Sequence, residues 1–106
     1  MTRAGSTGLA AVHHMTRVLA SELAHENIIV NGIAPGPFQS KMMAASLAAH
    51  GEAIAASVPR QRIGQPEDIA GTAIFLSSRA SAYMTGATIT CDGGISTAGR
   101  MEGSTR

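Results

Sequence analysis

From Leu9 onward apolar side chains recur at spacings of three and four: Val12, Met15, Leu19 and Leu23 share one face, Val18 lies beside them, and Arg17, Ser21 and Glu22 fill the rest of the wheel. That period predicts an amphipathic helix over 9–25. The next run, Ile28-Ile29-Val30-Asn31-Gly32-Ile33, is β-branched and almost continuously apolar. It predicts a strand over 28–33, buried on both faces as in a parallel sheet. Ala34-Pro35-Gly36-Pro37 ends that strand, because two prolines around a glycine make a rigid turn with few N–H donors. Ser40 stands where it can cap a short helix over 41–50, with Met42, Met43 and Leu47 on the apolar face and Gly51 as its breaker.

Pro66 suits the first position of a further helix over 66–78, where Glu67 and Asp68 complement the positive end of the helix dipole and Ile69, Ala70, Ala73, Ile74 and Leu76 supply the apolar stripe. The β-prone run Ala87-Thr88-Ile89-Thr90-Cys91 predicts a strand over 87–91, closed by a turn at Asp92-Gly93-Gly94. Residues 1–8 lack any period and read as an unstructured lead-in, and the polar, glycine-bearing 96–106 read as a flexible tail. Helix, strand, helix, strand implies one right-handed unit with parallel strands. The fold class is therefore α/β, and it is incomplete, because a parallel sheet needs more strands with helices on both faces.

The length, 106 residues, allows one domain, placed at 9–95. Aromatics are only 3% of the chain, so Ala, Ile, Leu, Val and Met must build the interior. A net charge of +1 without clustered basic residues excludes a nucleic-acid footprint. No apolar run approaches the roughly 18–20 residues of a membrane span. The apolar stretch after Arg3 is interrupted at once by His13, His14 and Arg17, which is not the pattern of a secretory signal. The single Cys91 excludes an internal disulfide and a multi-cysteine zinc site, fits a cytoplasmic location, and without a neighbouring His reads as a small buried hydrophobe. Adjacent helical residues point about 100° apart, so His13 and His14 are no ligand pair, and His25 and His50 lie far off; no metal site is expected. Tyr83 has no Lys at four residues and reads as a packing residue ahead of the last strand.

Four segments in order carry a resemblance: Ala10 to Ala20, then Ile29-Val30-Asn31-Gly32-Ile33-Ala34-Pro35-Gly36-Pro37-Phe38, then Arg62-Ile63-Gly64-Gln65-Pro66-Glu67-Asp68-Ile69-Ala70, then Tyr83-Met84-Thr85-Gly86 with Asp92-Gly93-Gly94. Together they resemble the C-terminal portion of the short-chain dehydrogenase/reductase family, most closely its 3-oxoacyl reductases. The resemblance implies part of a Rossmann-like, doubly wound parallel sheet, an oxidoreductase acting on a carbonyl or hydroxyl group, and NAD or NADP as cofactor. It assigns the cofactor-binding loop to Pro35, Gly36, Phe38 and Ser40, with a backbone group at Phe38 facing the nicotinamide carboxamide and the Ser40 hydroxyl on carboxamide or phosphate.

The same resemblance exposes what does not match. Family members place a Tyr four residues before a Lys, and alignment through Ala10 to Arg17 puts those positions at Gly5 and Leu9, neither of which can transfer a proton. No catalytic residue is therefore assigned. Gly93-Gly94 follows the last strand and cannot be the glycine-rich pyrophosphate turn, which joins an opening strand to a helix. The expectation is an oxidoreductase segment inactive as an isolated chain, which leaves open whether the chain is an enzyme. Two other readings stand beside it: a non-catalytic module that associates with itself or another subunit through an exposed helix and strand edge, and a small domain binding an apolar ligand over Pro35 to Leu47. A homo-oligomer is the expected partner state.

Overall fold

Helix α1 spans Arg3–Leu23 in the computed structural model, which describes residues 3–98. It starts ahead of the expected Leu9, so residues 3–8 are helical rather than a loose lead-in. Extending a formed helix costs only the propensity of each added residue, and no proline stands in the way. A 3-10 turn, Ala24–Glu26, ends it, with Asn27 in the left-handed conformation at φ 61°.

The described residues form two compact units, 3–33 with 74–89 and 34–73 with 90–98. In the first unit α1 turns its small side chains inward: Thr16 and Ala20 are buried, whereas Val12, Met15, Val18 and Leu19 are exposed. A Cβ added to Gly32 would come to 3.7 Å from Thr16 Oγ1, and one added to Gly86 to 3.5 Å from the Ala20 Cβ. Glycine backbone against Thr and Ala permits that close approach, and it leaves the larger apolar stripe of α1 uncovered. The Thr16 hydroxyl donates to the Val12 carbonyl at 2.9 Å.

Strand β1 is Gly32–Pro35, not 28–33. Its ladder exists only where β2, Thr88–Cys91, runs beside it: the Gly32 N–H bonds the Ala87 carbonyl at 2.9 Å in the first unit, and the Gly36 N–H bonds the Cys91 carbonyl at 3.1 Å in the second. The two strands form a parallel, two-stranded sheet. Upstream of β1, the Val30 carbonyl takes the Gly86 N–H at 2.7 Å and the Val30 N–H goes to Thr85 Oγ1 at 3.1 Å, so this segment is bound to a turn and not to a strand. Ile28 and Ile29 are exposed, against the expectation of burial on both faces. Asn31 fixes the turn, donating from Nδ2 to the Met84 carbonyl and accepting the Ala87 N–H on Oδ1, each at 3.1 Å. Tyr83, expected to pack, is fully exposed beyond the 3-10 turn Arg79–Ser81. That turn is held by Ser81, whose buried hydroxyl reaches the Leu76 carbonyl at 2.9 Å.

In the second unit α2 spans Ala44–Ser57 and continues past Gly51, bending at His50, where φ is −134°. Ser40 caps the turn ahead of the helix, its Oγ accepting the Met43 N–H at 3.2 Å. Helix α3, Pro66–Leu76, starts at the expected proline with Glu67 and Asp68 in its first turn. A short helix α4, Ile95–Ala98, occupies the start of the expected tail; 99–106 and residues 1–2 lie outside the described residues. Asp92 caps α4, its two oxygens accepting the Gly94 and Ser96 N–H groups at 2.8 and 3.1 Å. Gly93 and Gly94 form the expected turn at φ 67° and 93°. Val58 is a buried apolar side chain of this unit, and it leaves no room for a Cβ on Gly93.

Candidate functional site

Pro35 and Pro37 remove two N–H donors from the segment that leaves β1, so its position depends on what its remaining groups can reach. Gly36 is fixed first. A Cβ on it would lie 2.6 Å from the Asp92 Cβ and 2.8 Å from the Asp92 Cα, which forces glycine at this crossing. Beyond Pro37 the loop is held by a parallel bridge between Phe38 and Gly64. The Gly64 N–H donates to the Pro37 carbonyl at 2.9 Å, and the Gly64 carbonyl accepts the Gln39 N–H at 3.0 Å. In this arrangement the N–H and C=O of Phe38 itself point away from Gly64. The Phe38 ring covers Gly64, with Cε1, Cζ and Cδ1 at 2.5 to 2.7 Å from where a Cβ would stand.

The loop forms one wall of an open groove of about 530 Å³ that also takes Met43 from the turn before α2 and Pro66, Ile69 and Ala70 from α3. Pro35, Gly36, Phe38 and Ser40, the four residues assigned from sequence, all line it. The lining is chiefly apolar, with Ser40 among its polar members. Because Ser40 Oγ accepts from the Met43 N–H, its own proton is left to donate.

Gly64 and the residues around it are the part that sequence reasoning did not connect to the loop. Arg62 grips Asp68 through two parallel bonds, Nη1 to Oδ2 at 2.8 Å and Nη2 to Oδ1 at 2.9 Å. The same carboxylate accepts the Gln65 N–H at 2.7 Å, a reach back from the first turn of α3 to its N-cap. Hydrogen bonding from Arg62, then from the Gln65 N–H, holds the Asp68 carboxyl far below the usual carboxylate range. Gln65 Nε2 reaches Gln39 Oε1 at 3.3 Å. The available signal was the helix-start pattern of Pro66-Glu67-Asp68; nothing in it revealed Gly64 as the partner of Phe38.

A second, small cavity of about 80 Å³ lies among Pro37, Arg60, Arg62, Cys91 and Asp92. Cys91 is half-buried, and its thiol donates to the Asp68 carbonyl at 3.5 Å, so it is a partnered group rather than a fully buried hydrophobe. Burial pushes the Asp92 carboxyl up, but hydrogen bonds from Ser96 and from the Gly94 N–H outweigh it and leave the group below its ordinary value. Among the described residues no three His, Cys, Asp or Glu side chains are placed to hold a metal ion, and no helix is long and apolar enough to cross a membrane.

Comparison with known proteins places this geometry in context. The family described as enoyl-(acyl carrier protein) reductase matches residues 7–96. The rhamnolipid-biosynthesis 3-oxoacyl-[acyl-carrier-protein] reductase of Pseudomonas aeruginosa is 49% identical over 88 residues, which are 81% of this chain and 34% of that protein. Galactitol 2-dehydrogenase of Rhizobium johnstonii is 44% identical over 89 residues, 81% of this chain and 34% of its own length. The RhlG/NADP active-site complex of Pseudomonas aeruginosa superposes with a TM-score of 0.74 at 48% identity, covering 81% of this chain and 36% of that one. The chain thus spans about a third of the length of these relatives.

Proposed function

The chain belongs to the short-chain dehydrogenase/reductase family and carries part of its Rossmann-like α/β fold, and from that premise we propose that residues 9–95 supply the nicotinamide-side C-terminal portion of an NAD(P)-dependent oxidoreductase domain acting on a carbonyl or hydroxyl group, with a 3-oxoacyl compound as the substrate class. The observation that carries this reading is the groove: Pro35, Gly36, Phe38 and Ser40 line it together with Ile69 and Ala70.

That lining suits a flat aromatic amide. Apolar side chains accept the ring, the outward N–H and C=O of Phe38 match the donor and acceptor of a carboxamide, and the Ser40 proton serves a further oxygen. When bound, the cofactor supplies or takes the hydride. The chain's own residues orient it and exclude water from one side. They do not supply the proton: Gly5 and Leu9 stand where the family has its Tyr and Lys, so the 106 residues by themselves transfer no hydride.

A chimera tests this reading. The Pseudomonas aeruginosa 3-oxoacyl reductase supplies the sequence up to the position of Leu9, Tyr and Lys included, and this chain continues from Ala10. The expected result is NADPH-dependent reduction whose KM for NADPH rises several-fold on Ser40→Ala with kcat little changed, since a bond made in ground and transition states alike acts on binding. A folded chimera that neither binds NADPH nor responds to Ser40→Ala contradicts the reading.

A further inference from the structure

The Phe38–Ser40 loop has few anchors of its own. Gly36 is fixed against Asp92, but after Pro37 the loop has a local bond from the Met43 N–H to the Ser40 carbonyl, and the backbone bonds that tie it to a segment distant in sequence are the two made to Gly64. The position of Phe38 is therefore inherited from the position of Gly64, which lies in an irregular segment between Val58 and α3.

What fixes Gly64 is the Asp68 carboxylate. It takes both arms of Arg62, two residues before the glycine, and the N–H of Gln65, one residue after it. Arg62 Nη1 also reaches the Ile63 carbonyl at 3.3 Å. One carboxylate on the first turn of α3 thus holds the chain on both flanks of the residue that docks Phe38. From there the path runs directly into the loop through the Gly64 bonds to Pro37 and Gln39, and in parallel through the Gln65 amide to the Gln39 side chain.

We infer that Arg62 and Asp68 are positioning residues for the Phe38–Ser40 loop: their paired bonds, closed around Gly64, set where the Phe38 backbone and the Ser40 hydroxyl are presented to the groove. The functional consequence rests on the cofactor-facing reading of that loop; the geometry of the latch does not. A fork-to-carboxylate pair is shorter-ranged and more directional than a point-charge contact, so its two bonds define an orientation as well as a distance. A surface pair of this kind adds little to global stability, which makes its placement around Gly64 the more telling property.

Amide hydrogen exchange on the full 106-residue chain, resolved by residue in NMR spectra, tests the latch without cofactor. The Gly64 and Gln39 amides report the loop, and the Gly32 amide, bonded to Ala87, is the internal reference. Asp68→Asn is expected to raise exchange at Gly64 and Gln39 roughly tenfold relative to Gly32, and Asp68→Glu to restore part of the protection. Arg62→Lys keeps the charge, loses the fork, and is expected to fall between the parent and Asp68→Asn. If Asp68→Asn loses protection at Gly32 as well, the variant has unfolded and Arg62→Lys decides. Gly64 and Gln39 amides that stay as protected as in the parent, in a variant whose Gly32 amide is also protected, overturn the inference. Failure of the cofactor reading shows separately, in the NADPH response of the Ser40→Ala chimera.

Discussion

Glycines 36 and 64 meet different obstacles, and the difference has a measurable consequence. An added methyl on Gly36 runs into the Asp92 Cα and carbonyl, which are backbone and cannot turn aside. An added methyl on Gly64 runs into the Phe38 ring, which can swing at the cost of leaving its seat. Gly36→Ala is therefore expected to lower unfolding stability by roughly 1–3 kcal/mol, and Gly64→Ala by less, in urea melts of the two variants. Gly64→Ala should instead change the Phe38 ring environment, visible in its aromatic proton shifts. A smaller loss for Gly36→Ala than for Gly64→Ala would contradict the backbone-contact account. At this scale the sequence was informative where chemistry is local. Pro35, Gly36, Phe38 and Ser40 were assigned through the family resemblance of one contiguous stretch, and they line a common groove. The Phe38–Gly64 bridge joins residues far apart in sequence, and no periodicity or capping signal encodes it.

Elements were legible in proportion to how strongly their ends are marked. Helix α3 begins at the predicted Pro66, and β2 lies within the predicted 87–91, because a proline, two acids and a β-branched run mark them. Strand β1 was displaced from 28–33 to Gly32–Pro35, since a strand is defined by its partner, and β2 begins only opposite Gly32. Helix α2 outran its predicted end at Gly51. Its alanines carry the helix through that glycine, whose penalty of about 1 kcal/mol is too small to stop it. An added Cβ on Gly51 meets nothing within 4 Å. Gly51→Ala is accordingly expected to stabilise the chain by about 0.5–1 kcal/mol and to raise far-ultraviolet helical ellipticity. Lower ellipticity would mean that the bend at His50 requires the glycine.

On the scale of the whole chain, burial is sparse. Among the described residues only Ala20 and Val58 are buried apolar side chains, while Val12, Met15, Val18, Ile28, Ile29, Ile74 and Phe75 are exposed. Exposed apolar surface of this extent favours association, as does the β1 edge away from β2, which presents unpaired backbone groups. Sedimentation velocity at micromolar concentration is expected to show oligomers through these faces; a monodisperse monomer with a cooperative melt would favour a self-sufficient domain binding an apolar ligand over Pro35 to Leu47. We propose that the Pro35–Ser40 loop faces the cofactor in a segment where Gly5 and Leu9 stand at the family's Tyr and Lys positions. Absorbance of NADPH, followed with purified chain and a 3-oxoacyl thioester, tests it most directly. The account predicts a rate equal to the protein-free blank, unchanged by Gly5→Tyr with Leu9→Lys; oxidation above the blank that is abolished by heating the chain would contradict it.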